Sequence, residues 1–407
     1  MQKFNPEQAM SEVRREFGEH GGVVPSIERS STFTVMKSHI MAEIFAGEKT
    51  IAMGDYYLYS RHFNPTVNVL GRYLAAMEGT ESAMCTASGI SAISSTLLQL
   101  CSEGDHIVSN ECIYGGTHAL MQNVFPKFGI NTTFVNATNI ENFLKAKTAK
   151  TKVFYTEILD NPLLQVTDIA NLAKLAKEHN ITLVVDNTFT PMIISPAKLG
   201  ADIVIYSMTK FINGASDIVA GAVCASKKFI DELMDLHNGK IMLLGPTMDP
   251  RVAFDIMQRL PHLGLRMREH SARAMAIATY LEKLGVKVSY PGLESHPQHQ
   301  LFTSLMNKNY GYGGMLTIDC GTREKAEEFL DILQNQEHFG LIAVSLGYFD
   351  TLMSCSGAST SSEINPDEQK EMGLSSGLIR MAVGFTGSLE DRIAQIERAV
   401  AKVLVKS

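Results

Sequence analysis

Short apolar, β-branched runs recur between residues 63 and 255, and stretches with helical spacing separate them. The runs predict strands at Ser82–Thr86, His106–Ser109, Thr132–Val135, Lys152–Thr156, Thr182–Asp186, Ile203–Tyr206 and Gly221–Cys224. Helices are expected at Ile90–Cys101, Gly116–Phe125, Ile140–Ala146 and Ile169–His179. Apolar strands alternating with helices imply an α/β domain with a mostly parallel sheet, covered on both faces. Right-handed crossovers then align the strand C-termini along one edge, where ligands bind in such sheets.

The flanks read differently. Residues 1–62 lack a strong period and hold Gly21-Gly22, Pro25, Ser30-Ser31-Thr32 and Tyr56-Tyr57-Leu58-Tyr59, which predict an extended arm with short helices lying on another surface. Residues 256–407 open with a long helical stretch through Arg266, His270 and Ala276 to Leu284. Short strands follow at Val286–Tyr290, Gly314–Asp319, Ile342–Val344 and Leu378–Val383, with helices at Arg323–Gln334 and Leu389–Leu404. The expected organisation is therefore an arm (1–62), a large domain (63–255) and a smaller α+β domain (256–407). A chain of 407 residues exceeds what one core usually serves.

Composition narrows the partners. With 45% hydrophobic and 19% charged residues the chain has the make-up of a soluble globular protein. A net charge of −7 argues against a nucleic-acid binder that works through a basic surface. No apolar run is long enough to span a membrane, and Met1 to Arg15 is polar with charges of both signs, unlike a signal peptide. Cys85, Cys101, Cys112, Cys224, Cys320 and Cys355 form no CxxC pair, which suits reduced thiols in a cytoplasm. His296 and His299 have HxxH spacing, but Pro297 lies between them and no acid or Cys completes a metal set, so no metal is expected.

Three segments carry candidate chemistry. Ser207-Met208-Thr209-Lys210 follows a strand, so its lysine could condense with a carbonyl cofactor while the hydroxyls bind phosphate. Asp186 ends another apolar strand 24 residues earlier, where a carboxylate could face a cofactor's ring nitrogen. Thr86-Ala87-Ser88-Gly89-Ile90 opens a helix with small residues, which leaves backbone N–H groups free for an anion. Each alone has an ordinary reading: a surface lysine, a loop-start acid, a capped helix. Together they point to pyridoxal phosphate.

These residues resemble the Cys/Met-metabolism family of pyridoxal-phosphate enzymes, and the resemblance covers nearly the whole chain. It rests on Tyr59-Ser60-Arg61 with Asn64-Pro65-Thr66, Ser88-Gly89-Ile90-Ser91-Ala92-Ile93, Tyr114-Gly115-Gly116-Thr117, Glu157 with Asn161-Pro162, Asp186-Asn187-Thr188, Ser207-Met208-Thr209-Lys210, Val344-Ser345-Leu346-Gly347 and Gly377-Leu378-Ile379-Arg380. The resemblance implies the fold-type I transferase fold. It implies that Lys210 holds pyridoxal 5′-phosphate covalently and moves protons, that Asp186 pairs with the ring nitrogen, and that Tyr114 stacks on the ring. Asn161 would contact the 3′-oxygen. Ser88, Gly89 and Ile90, with Ser207 and Thr209, would hold the phosphate. Tyr59 and Arg61 would reach the phosphate of a neighbouring subunit, within a tetramer built from dimers. Ser345 and Arg380 would bind the substrate carboxylate.

The C-terminal half resembles the plant-type methionine γ-lyase branch, through Ile241–Met248, Pro261–His270 and Leu346–Gly357. That implies γ-elimination of L-methionine to methanethiol, 2-oxobutanoate and ammonia. Sister reactions would use the same catalytic residues: O-acetylhomoserine sulfhydrylation, or cystathionine γ-synthase or γ-lyase chemistry. Gly116 stands where bacterial enzymes of this branch carry Cys.

Overall fold

The computed structural model describes residues 4–13, 20–49, 56–356 and 374–404. Parts of the expected arm (1–3, 14–19 and 50–55), Gly357 and residues 405–407 lie outside them. Seven strands form the main sheet: β1 (Ser82–Thr86), β2 (His106–Asn110), β3 (Asn131–Val135), β4 (Thr151–Glu157), β5 (Thr182–Asp186), β6 (Ile203–Ser207) and β7 (Gly221–Ala225). Their order is β1-β7-β6-β5-β4-β2-β3. Strand β7 runs antiparallel to β1 and β6, and the other pairs are parallel.

Alternation along the strands feeds two cores. Leu183, Val185, Val204 and Tyr206 point to one face, and Val184, Ile203 and Ile205 to the other. Burial on both faces is why these runs read as nearly continuous apolar segments. Their parallel direction brings Glu157, Asp186 and Ser207 to the same edge, at the C-termini of β4, β5 and β6.

Several helices of this part of the chain were not expected from the periodicity, Lys227–Leu233, Lys240–Leu244 and Pro250–Arg259 among them, and the longest is Pro65–Glu78. Pro65–Glu78 begins where the Asn64 side chain accepts from the Thr66 and Val67 N–H groups, has Pro65 in its first turn, and stops at Gly79 with φ +77°. Its last residue, Glu78, is buried. The Glu78 carboxyl accepts from the Ala197 N–H at 3.0 Å and shares a hydrogen bond with the Tyr206 hydroxyl. Asn187 Nδ2 donates to that same hydroxyl at 2.8 Å, so the network braces the ends of β5 and β6.

Burial pushes the Glu78 carboxyl up to about 8. An unfolded glutamate ionises near 4.5, whereas the folded one keeps its proton to about 8, so this group's contribution to stability falls as pH rises through that interval. Glu78→Gln should remove the dependence. Between about pH 5 and pH 9 the wild-type melting temperature should fall relative to the variant's by roughly 2 °C or more. Thermal denaturation across that range checks this, and a constant difference would refute it.

A second sheet holds β8 (Val288–Ser289), β9 (Met315–Asp319), β10 (Leu341–Ile342), β11 (Leu352–Cys355) and β12 (Leu378–Ala382), in the order β10-β11-β12-β9-β8. Strand β11 was not anticipated. The strand expected at Ile342–Val344 is only Leu341–Ile342, and the chain leaves the sheet before Ser345, whose φ is +123°. The helix expected at Gly116–Phe125 is α-helical only over Gly115–Ala119. It loosens to a π turn at Leu120–Val124 and tightens to 3₁₀ at Phe125–Phe128, around Pro126, which cannot donate.

The helix Leu263–Lys283 joins the two halves. Leu263 and Met267 sit in the core of the large sheet, and Ala274, Ile277, Ala278 and Leu281 sit in that of the second. One face of the second sheet packs Leu316, Ile318, Met353, Cys355, Ile379 and Met381 into its own core. On the opposite face Met315, Leu352 and Ala382 join the large-domain core. Beside them runs a polar row of register partners, Ser289, Thr317, Arg380 and Ser354.

All six cysteines are buried, and no disulfide joins them. His296 and His299 turn to separate backbone carbonyls, those of Leu164 and Pro291. Among the described residues no helix is long and apolar enough to cross a membrane.

Candidate active site

Lys210 lies in the turn that leaves β6. Its Nζ donates to Ser345 Oγ at 2.9 Å. Ser345 adopts φ +123°, a conformation that costs a non-glycine residue about 1–3 kcal/mol. The surroundings hold it there. Its carbonyl accepts from Arg380 Nη2 at 3.1 Å. Two residues on, Gly347 (φ +78°) presses against the Lys210–Phe211 backbone, where an added Cβ would come within 2.5 Å of the Phe211 nitrogen. From the other side Arg266 donates to the Phe211 carbonyl and, at 2.9 Å, to that of Ile212. Burial, and then the Arg380 charge, lower the Lys210 amine to about 8. Part of it is therefore neutral and nucleophilic near neutral pH.

Arg380, on β12, is 4% exposed. Its Nη1 donates to Asn161 Oδ1 at 3.0 Å. A continuous chain thus runs from Lys210 through Ser345 and Arg380 to Asn161, although these residues are up to 219 positions apart.

Asp186 and Glu157 are register partners at the ends of adjacent parallel strands. Both are buried. Burial raises both carboxyls, Asp186 to about 6 and Glu157 well above the usual range, and the Asp186 charge adds to the rise at Glu157. Asp186 Oδ1 accepts from the Thr188 N–H at 2.9 Å, which favours its ionised form. Two carboxylates this close resist double ionisation, so Asp186 takes the charge and Glu157 keeps its proton. Glu157 Oε1 also accepts from the Tyr114 N–H at 2.8 Å and thereby fixes the start of the Gly115–Ala119 helix. Tyr114 is half-exposed at this mouth. Its ring lies over Gly116, where an added Cβ would stand 2.6 Å from Tyr114 Cε1. A cysteine at 116 would require the ring to move.

The small residues after β1 form a cradle. Ser88 caps the helix Gly89–Leu100 by accepting from the Ser91 N–H, leaving the Gly89 and Ile90 N–H groups of the first turn without intrahelical acceptors. Gly89 is pressed against Ser207, where an added Cβ would meet Ser207 Cβ at 2.6 Å. Thr209 is turned toward the chain instead: its Oγ1 donates to the Ala220 carbonyl at 3.3 Å and accepts from the Ala220 N–H at 3.0 Å.

Tyr59 and Arg61 stand apart. Arg61 Nη1 donates to the Met242 carbonyl at 2.7 Å, and its guanidinium lies 5.8 Å from the Tyr59 ring. Among the described residues neither bonds to the Lys210 chain or the acid pair. Glu157, Arg266 and Met242 stand in the sequence within motifs or elements that give none of them a part. Glu157 had a visible signal, an acid at a strand end, whereas the other two act only through tertiary contacts.

The sequence pattern of Cys/Met metabolism PLP-dependent enzymes matches residues 8–401. This chain belongs to that family. Within it, methionine gamma-lyase of Arabidopsis thaliana is 53% identical over 401 residues, covering 98% of this chain and 91% of that one. Cystathionine gamma-lyase from Lactobacillus plantarum, complexed with L-serine, superposes with a TM-score of 0.86 at 30% identity, covering 98% of each chain. A Campylobacter jejuni structure carrying N′-pyridoxyl-lysine-5′-monophosphate superposes at 0.89 with 27% identity, covering 98% of this chain and 100% of that one. The architecture is the fold-type I fold of these enzymes, and the cofactor of the family is pyridoxal 5′-phosphate.

The residues present fit that group. The Gly89 cradle suits its phosphate, a half-buried, partly neutral amine suits its aldehyde, and the single anion of the buried Asp186–Glu157 pair suits its ring nitrogen.

Proposed function

We propose that this chain cleaves L-methionine by γ-elimination, with water, to methanethiol, 2-oxobutanoate and ammonia. The observation that carries the reading is the Lys210–Ser345–Arg380–Asn161 chain, in a sequence 53% identical to a methionine gamma-lyase. Pyridoxal phosphate, when bound, supplies an electron sink for negative charge at the substrate Cα. Asp186, as the anion of the acid pair, would keep the ring nitrogen protonated. Gly89 and Ile90 N–H groups and the Ser207 hydroxyl, with Ser88 and Thr209 shaping the pocket, hold the phosphate end. Arg380 grips the substrate carboxylate, positioned by Asn161 and the Ser345 carbonyl. Lys210 takes the proton from Cα, and its lowered pKa lets it act as a base near neutral pH. Tyr114 delivers a proton to the departing sulfur.

The test is an assay with methionine alone, following 2-oxobutanoate. Turnover without any thiol acceptor supports γ-elimination. Turnover only with O-acetylhomoserine and sulfide would move the chain to a sulfhydrylase.

The same reading makes the enzyme an oligomer, a tetramer built from dimers in which Tyr59 and Arg61 complete the phosphate site of the adjacent subunit. Among the described residues neither side chain bonds to the chain's own acid pair or lysine, which favours this. Lys210→Ala and Arg61→Ala protomers would each be nearly inactive alone. Refolded together in equal amounts, they should recover about a quarter of wild-type activity, because half the dimers are mixed and each has one intact site. No recovery would place Arg61 in its own subunit's site.

A further inference from the structure

We propose that the Ser354 hydroxyl is a second donor to the substrate α-carboxylate, beside Arg380. This rests on the amino-acid substrate proposed above. Ser354 and Arg380 are direct partners in the antiparallel β11–β12 pair. Such partners project from the same face with Cβ atoms about 4.5–5.5 Å apart. That face is the one turned to the large domain, since Leu352 and Ala382 on it join the large-domain core. The rows on either side are apolar, so a serine here breaks the pattern of its strand.

The second observation concerns the hydroxyl. Ser354 is 5% exposed, and among the described residues its Oγ has no hydrogen-bond partner. Burying an unmet hydroxyl costs stability, and one placed beside the carboxylate grip acquires a partner when an acid binds. The Arg380 guanidinium is held by Asn161 and the Ser345 carbonyl through Nη1 and Nη2, and its remaining N–H groups are left for the ligand. A neutral O–H next to them adds a short, charge-assisted bond without adding positive charge. Ser356 also has an unpartnered buried Oγ, but it lies one step further along the strand, beside Leu378, outside the row of Arg380.

The experiment uses the cofactor-loaded protein and two ligands that have no sulfur to expel, L-norleucine and L-norleucinamide. Binding is read from the change in cofactor absorbance, for the wild type, Ser354→Ala and Ser354→Cys. Ser354→Ala should weaken norleucine about tenfold or more while leaving the amide unchanged. Ser354→Cys, similar in size but a weaker donor, should fall between. Equal losses for acid and amide in both variants would mean a packing role, and unchanged binding would mean no role; either overturns the proposal. A wild type that binds neither ligand would overturn the amino-acid reading and this proposal with it.

Discussion

Lys210→Ala should end covalent attachment of the cofactor and cut turnover by roughly a thousandfold or more. The size of the effect follows from the position of the amine. It is half-buried, lowered to about 8, and tied by a 2.9 Å hydrogen bond to a serine whose strained backbone is pinned by Arg380 and Gly347. No neighbouring amine is placed to replace it: among the described residues, the bonds to Ser345 come from Lys210 and Arg380 alone, and a guanidinium is a poor base. Two measurements separate the outcomes. Absorbance after dialysis reports whether the cofactor is still held, and 2-oxobutanoate release reports turnover. A variant that keeps a dialysis-resistant cofactor and near-normal turnover would remove Lys210 from the chemistry.

Asp186→Asn should cost about a thousandfold in kcat, on the order of 4 kcal/mol of barrier. Asparagine has nearly the same shape and can still accept from the Thr188 N–H, so the fold should survive. What it cannot do is carry a negative charge. In the wild type the Asp186–Glu157 pair holds one proton between two buried carboxyls, which leaves one anion for a cationic ring nitrogen. In the variant the adjacent acid remains neutral, and the pocket offers no charge to keep that nitrogen protonated. The expected signature is a loss of kcat larger than any loss of cofactor binding, measured by steady-state rates alongside cofactor titration. Full activity in a cofactor-saturated Asp186→Asn would show that the ring needs no counter-charge from this residue.

The large sheet was legible because its inner strands β2, β4, β5, β6 and β7 are short and buried on both faces, while the partly buried edge runs β1 and β3 still stand out from the helices between them. What failed to show depended on context. Leu352–Cys355 did not read as a strand because Ser354 interrupts it, and that serine makes sense only beside Arg380 in three dimensions. The Pro65–Glu78 helix carries its Asn-Pro start signal in plain view, but Thr66, Gly71 and Glu78, all buried, blur the apolar period behind it. For the candidate site, strand ends gave Asp186 and Lys210 their local context. The links between Asn161 and Arg380, or between Lys210 and Ser345, join residues 219 and 135 positions apart, and no local pattern encodes them. Ser345 is a case where a local rule would mislead, since a serine at φ +123° is held by contacts the sequence does not display.

The buried cysteines have a consequence for an enzyme proposed to release a small thiol. Methanethiol is a volatile nucleophile that forms mixed disulfides wherever an oxidised partner is within reach. An exposed cysteine that oxidants had converted to a sulfenic acid would take up methanethiol as a mixed disulfide with loss of water, so a protein generating this thiol turnover after turnover is protected when its cysteines are out of reach of oxidants. Here every cysteine is at least nine-tenths covered, and burial raises the thiols at Cys85, Cys101, Cys112, Cys224 and Cys320, which keeps them in the unreactive form. Glycine at position 116, beside the Tyr114 ring, keeps the entrance free of sulfur as well. The catalyst is thereby insulated from the poison it makes.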